Sequence, residues 1–145
     1  MRRLALLSRS SLNPALAIAA VSSSKHGAVV TFSGVVRAAH AGRRVKGMTY
    51  DCFIPLAEKE LERVLAEAEK KWPARVAAAH RIGRLRVGEI SVFVAAASTH
   101  RPEAFAACRF TIDEIKRRLP VWKKEHYARG DGRWLPGCAL HRRKK

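Results

Sequence analysis

Residues 90–98, ISVFVAAAS, place the first constraint on the fold. Neighbouring side chains of a strand point to opposite faces, and here both sets are apolar. Such a segment reads as a central strand, not an edge. A second strand is predicted over 75–82, linked to it through Gly83 and Gly88-Glu89. Thr99 reads as an N-cap, and a helix is predicted over 102–119 with Pro102 in its first turn.

In that helix Phe105, Cys108, Ile112, Ile115 and Leu119 recur at three- and four-residue steps, which predicts one buried face. Lys116 lies four residues after Ile112, on or beside that face. Pro120 ends the helix, because continuing it would cost about 3 kcal/mol. Residues 121–127 then run as a strand, with Val121, Lys123, Glu125 and Tyr127 on one face and Trp122, Lys124 and His126 on the other. Lys116 and Lys123 can therefore converge across a helix-to-strand corner. Two amines against one apolar wall suit proton transfer or nucleophilic chemistry. The plainer alternative is that Lys116, Arg117 and Arg118 only complement the helix macrodipole.

The rest of the chain alternates strands and helices. Arg3 to Arg9 reads as a first strand, and Asn13-Pro14 as the cap and first position of a short helix. The first 24 residues also have the Arg, Ser and Ala bias of a transit peptide; the placement of the cap favours the folded reading. Residues 27–36 and 48–53 read as strands of an antiparallel hairpin, with 38–47 as a mobile basic loop between them. Pro55 opens a helix to Trp72, whose apolar face is Leu61, Val64, Leu65, Ala68 and Trp72, with Glu67 and Lys71 paired on its surface. The order β, α, β, β, α, β, β, α, β predicts a single-domain α+β fold over 1–136. Residues 137–145, ending in HRRKK, read as a disordered basic tail.

With 145 residues and 48% hydrophobic side chains, the chain can build one core. Its net charge is +17, and its first fifty residues contain no Asp or Glu. This balance predicts an anionic partner: a phosphate ligand, an acidic protein, nucleic acid or a membrane surface. No run approaches the roughly eighteen apolar residues of a membrane span. Three cysteines without CxxC or zinc spacing suit a reducing compartment and argue against a metal site. No GxSxG, Walker or GxGxxG motif occurs, and no carboxylate pair stands out. Chemistry would thus fall to lysine, arginine and histidine acting on an anion. His100-Arg101, at a helix N-terminus, reads either as a phosphate site or as a solvated pair. Arg37, at a strand end, can join such a site or simply end the strand. His80-Arg81 lies within a strand and reads as structural.

Four patterns in order, FxGxVR, HRxGxLxxGE, HRxxAF and KxxxPxWKKE, span most of the chain. Together with LNPALAIAAV and MTYDCFIPLAEKEL they make the sequence resemble the large, catalytic subunit of molybdopterin synthase. The resemblance implies an α/β hammerhead with an additional antiparallel β-sheet. It implies a cytoplasmic sulfurtransferase of molybdenum cofactor biosynthesis, with no metal and no bound cofactor. The substrate would be cyclic pyranopterin monophosphate, which receives two sulfurs to form the molybdopterin dithiolene. The sulfur would come from the C-terminal Gly-Gly thiocarboxylate of a small ubiquitin-like subunit. Two large subunits would form a homodimer at the centre of a heterotetramer. By motif position, Lys116 and Lys123 match the family's catalytic pocket lysines, and Arg37 and Phe32 its pocket arginine and phenylalanine. His100 and Arg101 match a substrate-binding pair that acts across the dimer interface. Asp51 and Leu56 depart conservatively from the family's usual Glu and Met. The competing reading is a basic nucleic-acid-binding module, which predicts salt-dependent binding to any strand.

Overall fold

The computed structural model describes residues 4–136. The tail predicted over 137–145 lies outside the described residues. The α+β class holds, with two β-sheets around a shared core. Its elements are β1 (Ala5–Ser8), α1 (Pro14–Val21), β2 (Ala28–Val35), β3 (Ala39–His40), β4 (Arg43–Cys52) and α2 (Ile54–Lys71). They continue with β5 (Ala74–Arg81), β6 (Gly83–Arg86), β7 (Ile90–Ser98), α3 (Arg101–Arg118), β8 (Val121–Tyr127) and β9 (Asp131–Pro136).

The first sheet has the order β1-β5-β7-β2, with β1 parallel to β5 and the other pairs antiparallel. β7 is central, as its two apolar faces require. Val92, Val94 and Ala96 face α2 and α3, among Leu61, Val64, Leu65 and Ala107. Phe93, Ala95 and Ala97 face α1, against Ala17 and Val21. Asn13 caps α1 by accepting from the Ala15 N–H at 3.1 Å, and Pro14 fills the first turn. The first residues described therefore pack as β1 and α1, in line with the folded reading of that stretch.

The predicted hairpin between residues 27–36 and 48–53 does not form. β2 pairs with β7, while β4 pairs with β6 and β8 in the second sheet, whose order is β3-β4-β8-β9 with β6 on the free side of β4. The reason lies in the intervening segment, which is not a mobile loop. β3 and β4 are joined by a two-residue turn in which Ala41 has φ 49° and Gly42 has φ 75°, with His40 opposite Arg43. Two positive φ values in succession give the tight turn whose twist matches paired strands. It carries β4 away from β2 into a second sheet. Residues 83–86, expected as a linker, form β6, and the expected glycine-rich turn continues into β9.

Three smaller expectations also change. His100, not Thr99, is the N-cap position of α3; the Thr99 hydroxyl donates to the Lys25 carbonyl at 3.4 Å. Phe105 is 61% exposed, and the buried face of α3 runs instead through Ala104, Ala107, Cys108, Thr111, Ile112 and Ile115. Small residues allow close approach to the alanine-rich β7, so the largest apolar side chain does not mark the core face. Glu67 pairs with Arg118 of α3 at 2.7 Å, not with Lys71 as its main partner.

Candidate functional site

The end of β2, the β3–β4 turn, the inner face of β4 and β8, and the last turn of α3 surround a cavity of about 190 Å³. Gly34 sits at its lip, beside the irregularity between Gly34 and Val35 where β2 leaves regular pairing with β7. A Cβ on Gly34 would lie 2.6 Å from Cγ1 of Val92, so only glycine fits this close approach. Beyond it the Val36 N–H donates to the Glu89 carbonyl at 3.0 Å and the Gly88 N–H to the Val36 carbonyl at 2.9 Å. These bonds fix the strand end from which Arg37 enters the cavity.

Lys116 and Lys123 line the same cavity, together with Arg37 and Phe32. The helix-to-strand corner at Pro120 thus brings together the two lysines that the sequence placed on either side of it. Lys123 pairs with Tyr50 across β4 and β8, and Glu125 with Met48, so all four side chains share the cavity face of the sheet. Tyr50 is buried, which pushes its phenol pKa up; a hydrogen bond with Ser91 opposes that shift and the Glu125 charge adds to it. The Ser91 hydroxyl in turn donates to the Gly34 carbonyl at 3.2 Å.

Behind Tyr50 stands His80, its ring edge-on at 5.1 Å between centroids. His80 is buried and paired through Nδ1 with the Arg81 carbonyl at 2.8 Å. Burial, and secondarily the Lys116 charge, push its pKa down to about 4, against the opposing pull of the Arg81 carbonyl. The ring is therefore neutral in the layer behind Tyr50. Arg81 forms an ion pair with Glu89 at 3.0 Å and donates to the Arg9 carbonyl at 3.2 Å. Both members of the dipeptide at 80–81 serve the scaffold.

Two cavity residues escaped the sequence reading. Glu125 is only 4% exposed; it accepts from the Tyr127 hydroxyl at 3.2 Å and has Nε2 of His40 at 3.7 Å. Nδ1 of His40 faces Nη2 of Arg37 at 3.4 Å. The alternation of β8 already set Glu125 on the Lys123 face, and that was the usable signal. Nothing comparable marks His40, whose position depends on the turn at Ala41-Gly42.

His100 and Arg101 lie elsewhere. Both are exposed, at the opposite end of α3 from Lys116, about 22 Å away at 1.5 Å per residue. Within one chain they do not join Arg37 in a common anion site. Among the described residues no group of three or more His, Cys, Asp or Glu side chains is arranged to hold a metal. No helix there is long and apolar enough to cross a membrane.

Three cationic side chains, Arg37, Lys116 and Lys123, thus face one carboxylate in a confined space. Such a cavity attracts an anion and can hold developing negative charge. Its volume falls below the roughly 300 Å³ at which small-molecule sites begin, so it suits a phosphate or a narrow extended tail better than a whole bulky ligand.

Residues 7–118 match the family model described as MoaE protein. The molybdopterin synthase catalytic subunit of Pseudomonas aeruginosa is 49% identical over 112 residues, covering 77% of this chain and 74% of that protein. That of Nostoc sp. is 46% identical over 114 residues, covering 77% and 69%. Among solved structures, the molybdopterin synthase from Staphylococcus aureus superposes with a TM-score of 0.86 at 32% identity, covering 93% of this chain and 98% of that one.

Proposed function

Because this chain belongs to the MoaE protein family, we propose that it is the catalytic subunit of a molybdopterin synthase. It transfers sulfur from the C-terminal thiocarboxylate of a small ubiquitin-like subunit to cyclic pyranopterin monophosphate. The observation that carries this reading is the convergence of Lys116, Lys123, Arg37 and Phe32 on one cavity. The small subunit's Gly-Gly tail is narrow enough to thread such a space, and the positive lining offsets its charge.

The chemistry needs proton transfers, a place for an oxyanion and a grip on phosphate. Lys116, an exposed side chain that lines the cavity, moves protons to and from the reacting oxygen. Lys123, half-buried beside Tyr50, neutralises the thiocarboxylate and holds its acyl carbon in place. Arg37 binds phosphate oxygens, and Phe32 packs against the ligand. His100 and Arg101 reach the substrate of a second copy in a central homodimer, with a small subunit at each end.

Reconstitution tests the reading. The protein is mixed with a thiocarboxylated small subunit and cyclic pyranopterin monophosphate, and molybdopterin formation is followed. The wild type should form product. Lys116→Ala and Lys123→Ala should each lose at least about a hundredfold in rate, the usual scale for removing a proton-transfer or oxyanion group. Full turnover by Lys116→Ala with saturating sulfur donor would remove its assigned role. No product and no complex with the small subunit would overturn the function itself.

A further inference from the structure

We propose that His40 is a positioning residue of this cavity, which ties the Arg37 guanidinium to the Glu125 carboxylate through a single ring tautomer. The β3–β4 turn sets His40 directly opposite Arg43, one residue before the positive-φ pair, with its ring on the cavity wall. Its two nitrogens face different chemistry. Nδ1 lies 3.4 Å from Nη2 of Arg37, and Nε2 lies 3.7 Å from Oε1 of Glu125.

A guanidinium only donates and a carboxylate only accepts. Accepting from Arg37 leaves Nδ1 bare and puts the ring proton on Nε2, the nitrogen nearer Glu125. The Glu125 carboxylate, at 3.7 Å and outside hydrogen-bond range, favours the same tautomer through its charge. The other oxygen of Glu125 is held by the Tyr127 hydroxyl at 3.2 Å, and the Arg43 guanidinium stacks on the Tyr127 ring at 3.5 Å. The carboxylate is thus fixed from behind, and His40 relays its position to Arg37.

The arrangement has a consequence for anion binding. The charged groups at the ring are Arg37 and Glu125, with Lys116 and Lys123 lining the same cavity and Tyr127 and Arg43 stacked behind Glu125. Without the ring, Arg37 loses its tether to Glu125 and no longer presents a fixed guanidinium to an incoming anion. The inference rests on this cavity being the anion site of the proposed function, and neither test uses the sulfur-transfer reaction.

The experiment is nitrogen-15 NMR of histidine side chains in the full chain, with the His40 signal identified by its loss in His40→Asn. At pH 8 the wild type should show an unprotonated Nδ1 and a protonated Nε2; Arg37→Ala should keep that tautomer, which Glu125 also favours, but should shift the Nδ1 resonance by removing its donor. A protonated Nδ1 in the wild type, or an Nδ1 resonance indifferent to Arg37→Ala, overturns the proposal. Sulfate is then bound to the wild type and to His40→Asn at pH 8. His40→Asn should bind it at least about threefold more weakly than the wild type, the scale of one mispositioned charge in a partly screened site. Equal affinity of wild type and variant also overturns it.

Discussion

His80 lies inside the protein although its side chain can carry a charge. Only 4% of it is exposed, and its pKa falls to about 4 because burial opposes protonation, with Lys116 adding to the effect. In an unfolded chain the same ring titrates near ~6.5. The folded pKa is the lower one, so the unfolded state takes up the proton first as pH falls. The stability linked to His80 is complete above the unfolded value and is lost progressively down to pH ~4. Between pH 7 and pH 5 this amounts to about 2 kcal/mol. Urea unfolding at the two values should register that loss in the wild type and a clearly smaller one in His80→Gln. Equal slopes would mean that the ring is hydrated in the folded protein. The carboxylates whose pKa values are lowered, such as Glu67 and Glu114, titrate at lower pH and leave this window to the histidine.

At the level of elements, α2 and α3 are joined by charge as well as by apolar packing. Arg118, in the last turn of α3, reaches Glu67 at 2.7 Å and Glu60 at 3.1 Å on α2, and Glu114 at 3.2 Å on its own helix. Arg117 pairs with Glu114 as well. The Arg118 side chain is 17% exposed, so the cluster is shielded more than a surface pair. Arg118→Ala would leave three carboxylates together and should cost about 2 kcal/mol, between the surface and buried limits. Hydrogen bonds from Arg118 to Glu67, and from Arg117 and then Arg118 to Glu114, hold both carboxyls below the usual range. Their contribution is present above the unfolded pKa and disappears as pH falls through the folded one. The gap between wild type and variant in unfolding free energy should therefore narrow below pH ~4.5; a gap constant with pH would show that packing, not charge, is lost. The two long helices and β7 were legible in the sequence because their periodicity is local. The partners of β2 and β4 were not, because the decisive turn carries Ala41 at φ 49° where sequence rules look for Asn-Gly or Asp-Gly. The same limit applies to the site. The corner at Pro120 announced Lys116 and Lys123, and strand alternation set Glu125 beside them, while His40 depends on that turn.

At the scale of the whole molecule, His100 and Arg101 pose a question of geometry. They stand about 22 Å along α3 from Lys116, too far for one small substrate to touch both ends within one chain. If the pair serves the cavity, a second copy must supply it, and two-fold symmetry then gives each dimer two shared sites. This can be separated from a remote effect of the same residues by mixing variants. Lys116→Ala and Arg101→Ala should each be impaired as homodimers. In a mixed dimer with shared sites, one site combines both substitutions and the other combines none. Random subunit exchange makes half of the dimers mixed, each with one intact site, so activity should recover to about a quarter of the wild-type value. If each chain uses only its own residues, every site keeps one substitution, and the mixture should show no more than the mean of the two variants. Exchange is followed by tagging one variant and recovering the other with it, so that an absence of mixing is not read as an absence of sharing. The high net charge of +17 makes this assay sensitive to salt, because like-charged subunits repel at low ionic strength. Exchange waits on dissociation of the parent dimers, so it should slow as salt screens that repulsion. The recovered activity per mixed dimer should stay the same across that range, since it depends on which residues share a site and not on how often subunits meet.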